Sequence, residues 1–230
     1  MATNGEIVEY LLYKKNPGTI LSDCMKTWSS SKVENTIRQI AKIMSQLHRI
    51  DAPYYGFFHG QQFSSWSDFI FYWLNKQEPY IRKSETLTNE EILQVKSIFA
   101  RNKHALSLTS PVVTHLDLKP ENILIASNGV IDCIIDWDNA RGGDAIADVS
   151  YTIEFIFKES ELTDFSPIFL DEYKKAAEIQ NWDDFMLKYR LYSLFYAYKL
   201  LPVRVARVSQ KKTISNLIQN VREMIILLNQ

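Results

Sequence analysis

The chain has 230 residues, of which 46% are hydrophobic and 13% aromatic, a composition typical of a folded domain rather than a disordered one. The formal net charge of −1 argues against nucleic acid or an anionic membrane as a partner, and no apolar run is long enough to span a bilayer. Because the two cysteines form neither a disulfide framework nor a zinc-binding pattern, and the first residues lack the features of a signal peptide, we predict a soluble, cytoplasmic protein.

The first predicted element is a short β-strand at residues 6–13, with the sequence EIVEYLLY. Asn4-Gly5 precedes it and is typical of a hairpin turn, while residues 16–18, Asn-Pro-Gly, end it. A single strand cannot satisfy its own backbone hydrogen bonds. We therefore expect this strand to pair with another one.

Beyond this strand the apolar residues recur mostly at helical spacing. Two helices are predicted to begin with capping boxes, one formed by Ser31 and Glu34 and the other by Thr88 and Glu91. Further helices are predicted near residues 66–82, 145–157, 169–180, 182–200 and 213–229. A β-like interruption at residues 112–136 separates the two groups of helices, so the predicted fold class is α+β and predominantly helical.

Within the interruption, Asn128-Gly129 lies between two apolar runs and predicts a β-hairpin with a two-residue turn. This register places Asn122 opposite Ile135, so that Asn122 and Asp136 share the open end of the hairpin. Neighbouring strands lie about 5 Å apart, which would allow both side chains to reach one cation.

The polar residues around the hairpin suit phosphate chemistry. Mg²⁺ prefers carboxylate and amide oxygens, and substrate phosphates complete its coordination shell. Asn122 and Asp136 supply one oxygen ligand of each kind. Asp117 could accept the proton of a substrate hydroxyl, and the charge of Lys119 suits phosphate oxygens.

Three motifs carry a resemblance to a known family. The loop at residues 115–122 has the pattern His-x-Asp-x-x-x-x-Asn and is followed by Ile-Asp-Trp-Asp at residues 135–138. Residues 143–148 are similar to a Gly-Asp-Pro-x-x-Asp element, with Ala145 in place of the proline. Together these motifs resemble the catalytic core of the aminoglycoside phosphotransferase and choline kinase superfamily, whose members share the protein-kinase-like fold. The likeness covers residues 6 to about 157.

The resemblance implies a role for each of the polar residues. Asp117 matches the catalytic base of the family, in a catalytic loop at residues 115–122, and Asn122 and Asp136 match the Mg²⁺ ligands of a metal hairpin at residues 122–138. Lys119 matches a lysine that faces the nucleotide phosphates in protein kinases. The implied function is transfer of the γ-phosphate of ATP or GTP to a hydroxyl of a small molecule.

The resemblance also implies a domain organisation. Residues 1–18 match a residual N-lobe strand and the hinge between the kinase lobes, where the Lys14 carbonyl and the Asn16 N–H would bond the adenine. Residues 19–230 match a kinase-like C-terminal lobe. Its helical region, residues 145–230, would bind the acceptor.

A glycine-rich loop and a strand lysine usually accompany this machinery. The chain has seven glycines, none of which forms Gly-x-Gly-x-x-Gly or Gly-x-x-x-x-Gly-Lys. We therefore expect the N-terminal lobe to be missing. The strand at residues 6–13 would then pair with a separate N-lobe chain or with a second copy of this chain in a homodimer.

Two other functions are compatible with parts of this pattern. The missing lobe favours a catalytically impaired kinase-like binding module, whereas the three retained polar positions favour an active enzyme. A protein kinase fragment is disfavoured because Leu116 replaces the arginine of His-Arg-Asp, and residues 136–138 replace Asp-Phe-Gly. The aromatic residues of the C-terminal helices are more typical of packing, so the identity of the acceptor stays open.

Structural roles are expected for other polar residues near the motifs. His115 is expected to form structural hydrogen bonds, Asp148 to bond the backbone of the catalytic loop, and Asp144 to cap a helix. His48 is expected to lie in a last helical turn, where a cation suits the helix dipole. For Asp138, a second metal contact and a solvated carboxylate are equally compatible with the sequence.

Overall fold

The computed structural model describes residues 17–206 and 211–230. The strand predicted at residues 6–13, and the hinge contacts predicted for Lys14 and Asn16, lie outside these residues. The described residues form mainly helices with two small antiparallel sheets, so the predicted α+β, predominantly helical class is confirmed. Among the helices of this described part, none is both long and apolar enough to cross a membrane.

Helices make up most of the described chain. In chain order they are α1 (Leu21–Met25), α2 (Ser30–Leu47), α3 (Trp66–Ser84), α4 (Asn89–Arg101), α5 (Lys103–Ser107), α6 (Ala145–Tyr151), α7 (Ser166–Ala176), α8 (Trp182–Val205) and α9 (Lys211–Leu228). A π-helical segment, Thr152–Phe157, continues α6 within the helix predicted at residues 145–157. Short 3₁₀ segments lie at Pro120–Asn122, Trp137–Asn139 and Thr163–Phe165.

One of the two predicted capping boxes is present. The Glu91 N–H donates to the Thr88 hydroxyl at 3.1 Å, and the Thr88 N–H donates to the Glu91 carboxylate at 2.7 Å. The box predicted at Ser31 is wrong, because α2 is capped by Ser29, which accepts from the Lys32 N–H at 3.3 Å. Three consecutive serines offer equivalent caps here, and the local sequence does not distinguish them.

Two antiparallel sheets flank the loop at residues 115–122. Their strands are β1 (Thr19–Ile20), β2 (Tyr55–Phe57), β3 (Gln62–Phe63), β4 (Val112–Thr114), β5 (Ile123–Ile125), β6 (Ile131–Ile134) and β7 (Arg141–Gly143). The first sheet has the order β1-β5-β6, and the second has the order β3-β2-β7-β4. The predicted hairpin, β5 and β6, therefore gains β1 as a third strand.

The hairpin has the predicted register at its open end. Ile123 lies opposite Ile134, and the Ile135 N–H donates to the Asn122 carbonyl at 2.9 Å. Asn122 therefore faces Ile135, one residue from Asp136.

The tip of the hairpin differs from the prediction. The Gly129 N–H donates to the Ala126 carbonyl at 2.8 Å, and the Ala126 N–H donates to the Val130 carbonyl at 2.9 Å. The loop thus has three residues, and Gly129 has the left-handed φ of 83° that such a loop requires. The predicted two-residue turn is wrong, but a bulge at Asp132 restores the register below it.

The β2–β3 hairpin was not predicted, because its strands are only two or three residues long and contain Gly56, whose φ is 109°. In the neighbouring strand β7, a Cβ atom on Gly142 would lie 1.8 Å from the Tyr54 carbonyl oxygen, so the close pairing requires glycine. This pairing places Arg141 directly opposite Phe57.

Two hydrophobic cores meet at the catalytic loop. The first surrounds α8, which is apolar on most sides because it packs against α3, α6 and α9. The second packs α2 and α7 against the hairpin. Leu116 is buried in the first core and Leu118 in the second, so these two residues fix the loop on both sides of Asp117.

Candidate active site

The backbone of the catalytic loop is held by a carboxylate of α6. Asp148 is fully buried and accepts hydrogen bonds from the His115 N–H at 2.7 Å and from the Leu116 N–H at 3.0 Å. Leu116 has a left-handed φ of 58°, an unfavourable conformation that these bonds stabilise. Burial alone would raise the pKa of Asp148, but the bonds from His48 and the His115 N–H lower it below its usual value. The role predicted for Asp148 is confirmed.

His48 extends this support to two further helices. Its Nε2 lies 3.3 Å from the Asp148 carboxylate, and its Nδ1 lies 2.7 Å from the Tyr173 hydroxyl. A carboxylate only accepts, so Nε2 donates, and in the neutral ring Nδ1 accepts from Tyr173. His48 does cap the end of α2, as expected from its last-turn position, but its side-chain contacts are those of a buried bridge between α2, α6 and α7.

His115 connects the loop to the hairpin. Its Nδ1 accepts from the Asp117 N–H at 3.2 Å, which leaves Nε2 to donate to the Ile135 carbonyl at 3.2 Å. The ring packs edge-on against Trp137, with 4.6 Å between the ring centroids. Both nitrogens are used within the protein and the residue is fully buried, so the predicted structural role is confirmed.

Asp117 is oriented by its two polar neighbours in the loop. The Asn122 Nδ2 donates to the Asp117 carbonyl at 2.8 Å and to its Oδ2 at 3.1 Å. The Lys119 Nζ lies 3.0 Å from the same Oδ2. Burial favours the neutral form of Lys119, but the bond to Asp117 raises the pKa of Lys119 above its usual value. The three polar residues predicted in this loop are therefore brought together.

Asp136 lies at the open end of the hairpin, where the backbone turns sharply. Its φ and ψ are both 65°, and its side chain is exposed. Within the described part of the chain the carboxylate has no hydrogen-bond donor, and its charge contributes to the raised pKa of Lys119. Asp136 is thus close to the loop and available to a ligand.

The donor atoms fit Mg²⁺. The amide nitrogen of Asn122 is used by Asp117, so its oxygen remains for a cation, with the Asp136 carboxylate one residue away in register. No group of three or more His, Cys, Asp or Glu side chains in residues 17–206 and 211–230 could hold a metal ion. One amide and one carboxylate suit an ion that keeps several ligands from water and phosphate.

Two further aspartates follow Asp136 in the sequence, Asp138 and Asp144. Asp144 caps α6 as predicted, with its Oδ1 accepting from the Ile146 N–H at 2.8 Å, and its Oδ2 accepts from the Tyr192 hydroxyl at 2.6 Å. Asp138 is exposed beside a cleft of about 670 Å³ that is also lined by Phe57, Phe58, His59, Gly60, Trp137 and Ala140. This position is compatible with either interpretation of Asp138.

Sequence reasoning missed a second group of residues, which includes Arg141, Tyr151 and Lys199. Arg141 is 4% exposed, and its guanidinium lies 4.0 Å from the centre of the Phe57 ring. Tyr151 stacks edge-on against Tyr196, at 4.8 Å between ring centroids. In the sequence, only the position of Arg141, five residues after Asp136, could have indicated that it lies near the site. The contacts of Tyr151 and Lys199 arise from packing between distant parts of the chain.

Comparison with known proteins identifies the class. A family model described as the phosphotransferase enzyme family matches residues 2–187. The chain therefore belongs to the phosphotransferase enzyme family, and the resemblance to the aminoglycoside phosphotransferase and choline kinase superfamily is confirmed. Among curated protein sequences, none is significantly similar to this chain.

Solved structures with the same fold include aminoglycoside phosphotransferases and a choline kinase. The GDP and kanamycin complex of APH(2")-IIia has a TM-score of 0.62 at 18% identity, over 92% of this chain and 69% of that one. The ternary complex of aminoglycoside phosphotransferase APH(4)-Ia with AMP-PNP and hygromycin B has a TM-score of 0.64 at 16% identity, over 92% and 70%. For choline kinase LicA from Streptococcus pneumoniae the TM-score is 0.56 at 19% identity, over 86% and 66%. These similarities confirm the kinase-like fold.

Proposed function

We propose that this chain transfers the γ-phosphate of ATP or GTP to a hydroxyl of a small molecule. The observation that carries the proposal is the arrangement of Asp117, Asn122 and Asp136 around the open end of the hairpin. Membership of the phosphotransferase enzyme family supports the reaction type. Complexes of similar folds with ATP, AMP or GDP support a nucleotide as the donor.

Asp117 is proposed as the catalytic base. Its Oδ2 accepts from Asn122 and Lys119, which leaves Oδ1 to accept the proton of the attacking hydroxyl. The buried anchors Leu116 and Leu118 and the Asp148 bonds hold the backbone, so the carboxylate needs little reorganisation when the acceptor binds.

Asn122 and Asp136 are proposed to hold Mg²⁺. When bound, the ion would neutralise charge on the phosphate oxygens. Asn122 also orients Asp117 through its amide nitrogen, so one side chain couples the metal position to the position of the base. Lys119 is proposed to contact the phosphates after exchanging its ion pair with Asp117.

The remaining proposals concern the domain organisation. Residues 1–18 are proposed to form the hinge, with Lys14 and Asn16 bonding the adenine, and residues 19–230 the C-terminal lobe. Helices within residues 145–230 are proposed to bind the acceptor. Because the sequence contains no Gly-x-Gly-x-x-Gly motif, a kinase-like module that binds nucleotide without turnover is the second candidate function.

Calorimetric titration of Mg-ATP into the full chain tests the metal assignment. We expect Asp136→Ala to weaken Mg-dependent binding at least about tenfold, because one of the two protein ligands is lost. Asp132→Asn is the matched control, since it neutralises another exposed carboxylate of the same hairpin. Equal binding by the native chain and Asp136→Ala would refute the metal site. Binding without detectable phosphate transfer would favour the second candidate function.

A further inference from the structure

Three cations lie over neighbouring aromatic rings, those of Phe57 and Trp73, which both pack against Phe69. Besides Arg141 over Phe57, the Lys199 Nζ lies 4.4 Å and the Lys76 Nζ 4.7 Å from the centre of the Trp73 ring. We refer to Arg141, Lys199 and Lys76 as the cationic cluster. Aromatic faces attract cations, but they do not neutralise a net charge.

The cationic cluster has no direct ion pair among the described residues, and the nearest compensating carboxylate charge is that of Asp148, which acts on Arg141 without contact. Among the described residues, none of its three members has an acidic group within ion-pair distance, whereas most other buried or half-buried ionic groups near the site are paired. Burial and the charges of Arg141 and Lys76 together lower the pKa of Lys199 to about 7. Positive charges that lie close together without ion pairs are costly, and they are expected where an anion binds.

Hydrogen-bond donors without partners occur at the same place. The Arg141 Nη1, the Trp73 Nε1 and the Tyr196 hydroxyl are all buried and have no hydrogen-bond partner within the described chain. Buried polar groups normally have a partner, so three of them in contact with one cluster require an explanation. Each of the three can donate, and an oxyanion would accept from them.

The exposed side of the cluster, at Lys76, adjoins open space. A pocket of about 270 Å³ is lined by Phe57, Gln61, Phe63, Tyr72, Trp73 and Lys76. Phe57 also lines the larger cleft that reaches Trp137 and Asp138, next to Asp136. A small molecule in either space would contact Phe57, whose ring also carries the Arg141 guanidinium.

Tyr151 connects the cluster to the catalytic loop. Its ring packs edge-on against Tyr196, whose ring centre lies 5.9 Å from the Lys199 Nζ. Burial and the charge of Asp117 raise the pKa of Tyr151 to about 12, and the charge of Arg141 opposes them. The charges of Asp117, the proposed base, and of Arg141, in the cluster, thus both act on the Tyr151 hydroxyl.

We propose that the cationic cluster is a subsite for an oxyanion on the phosphoryl acceptor, a carboxylate or a phosphate ester. The subsite rests on the proposed function, because it defines the class of molecule whose hydroxyl Asp117 would deprotonate. An acceptor of this class is a small hydroxylated acid or sugar phosphate. A polyamine acceptor would be repelled by the charges of Arg141 and Lys76, and by Lys199 in its protonated form.

Binding of model compounds tests this subsite without nucleotide or metal. Phenyl phosphate, benzoate and benzylamine are titrated into the full chain at constant ionic strength. Loss of one charged contact is expected to weaken oxyanion binding about tenfold in Lys199→Met. Lys174→Met is the matched control, because Lys174 lies over Trp182 at a similar distance, 4.6 Å, outside the cluster.

The outcomes separate this inference from the proposed function. Oxyanion binding that is weakened about tenfold in Lys199→Met and unchanged in Lys174→Met supports the subsite, and the oxyanion that binds more tightly identifies the group. Tighter binding of benzylamine, no oxyanion binding, or equal affinity in both variants would overturn it. Failure of Mg-ATP to bind would instead refute the proposed function and leave these titrations unaffected. Lys76→Met, at an exposed position, repeats the test with little risk to folding.

Discussion

The catalytic loop and the cationic cluster lie close together but differ in how their polar groups are satisfied. In the loop, Asp148 accepts from two backbone N–H groups, and Asp117 is bonded by Asn122 and Lys119. In the cluster, Arg141 and its neighbours have buried donors without partners in the described chain. The loop is therefore organised before any ligand binds, whereas the cluster has contacts that a ligand would complete.

Asp117→Asn is expected to have the largest effect. The asparagine oxygen can still accept from Asn122 and Lys119, so the loop should keep its shape, but the base is lost. Removal of a general base is expected to lower the rate at which ATP is converted to ADP about a thousandfold with little change in nucleotide affinity. Steady-state ADP formation by the native chain and the variant provides the measurement. Native-like turnover by Asp117→Asn would remove Asp117 from the mechanism.

Asp148→Asn weakens the hydrogen bonds that hold the backbone of the catalytic loop at His115 and Leu116. The new amide group would face backbone donors in a fully buried site, and we expect the free energy of unfolding to fall by about 3 kcal/mol. Because the folded pKa of Asp148 lies below its unfolded value, this stabilisation is present above about pH 4 and is lost as the pH falls through the folded pKa. Urea denaturation at neutral and acidic pH measures both effects. Asp171→Asn, at an exposed ion pair with Lys175, should change stability little.

The contribution of Lys199 to the free energy of unfolding should change with pH in the direction opposite to that of a lysine in an ion pair. The pKa of Lys199 is about 7 in the folded chain and 10.5 for an ordinary lysine. Between these values the unfolded chain binds more protons, so stability should rise with pH, by at most about 1.4 kcal/mol per pH unit. Urea denaturation of the native chain and Lys199→Met from pH 7 to 10 isolates the effect. A difference between them that does not change with pH would contradict the charge assigned to the cluster.

Lys76→Met should have the smallest effect on stability. Lys76 is exposed, so we expect its removal to change the free energy of unfolding by less than about 0.5 kcal/mol. Removing this charge should nevertheless raise the pKa of Lys199, because Lys76 is one of the two cations that lower it. Isotope-edited NMR titration of the lysine side chains measures that pKa. An unchanged Lys199 titration would separate Lys76 from the cluster.

Much of the loop and hairpin could be predicted from the sequence because the signals are local. Asn128-Gly129 and its flanking apolar runs located the hairpin and correctly placed Asn122 opposite Ile135. The turn length was wrong because the bulge at Asp132 compensates for an extra loop residue, and a bulge has no distinct signal in one sequence.

The cationic cluster could not be predicted, because its members come from distant parts of the chain. Arg141 lies on β7, Lys76 on α3 and Lys199 on α8. Lys76 and Lys199 come together because α3 packs against α8, and Arg141 joins them through β7, which pairs with β2; neither short strand has a clear alternating pattern. In the sequence, Lys199 follows a series of aromatic residues that are typical of packing, and most of that series is indeed buried in α8.

The central claim is that Asn122 and Asp136 hold a divalent ion beside Asp117. Electron paramagnetic resonance of Mn²⁺, used in place of Mg²⁺, measures this directly in the full chain with ATP present. We expect the native chain to bind Mn²⁺ in the ATP complex and Asp136→Asn to lose at least about 90% of the bound signal at the same concentrations. Equal Mn²⁺ binding by the native chain and Asp136→Asn would contradict the claim.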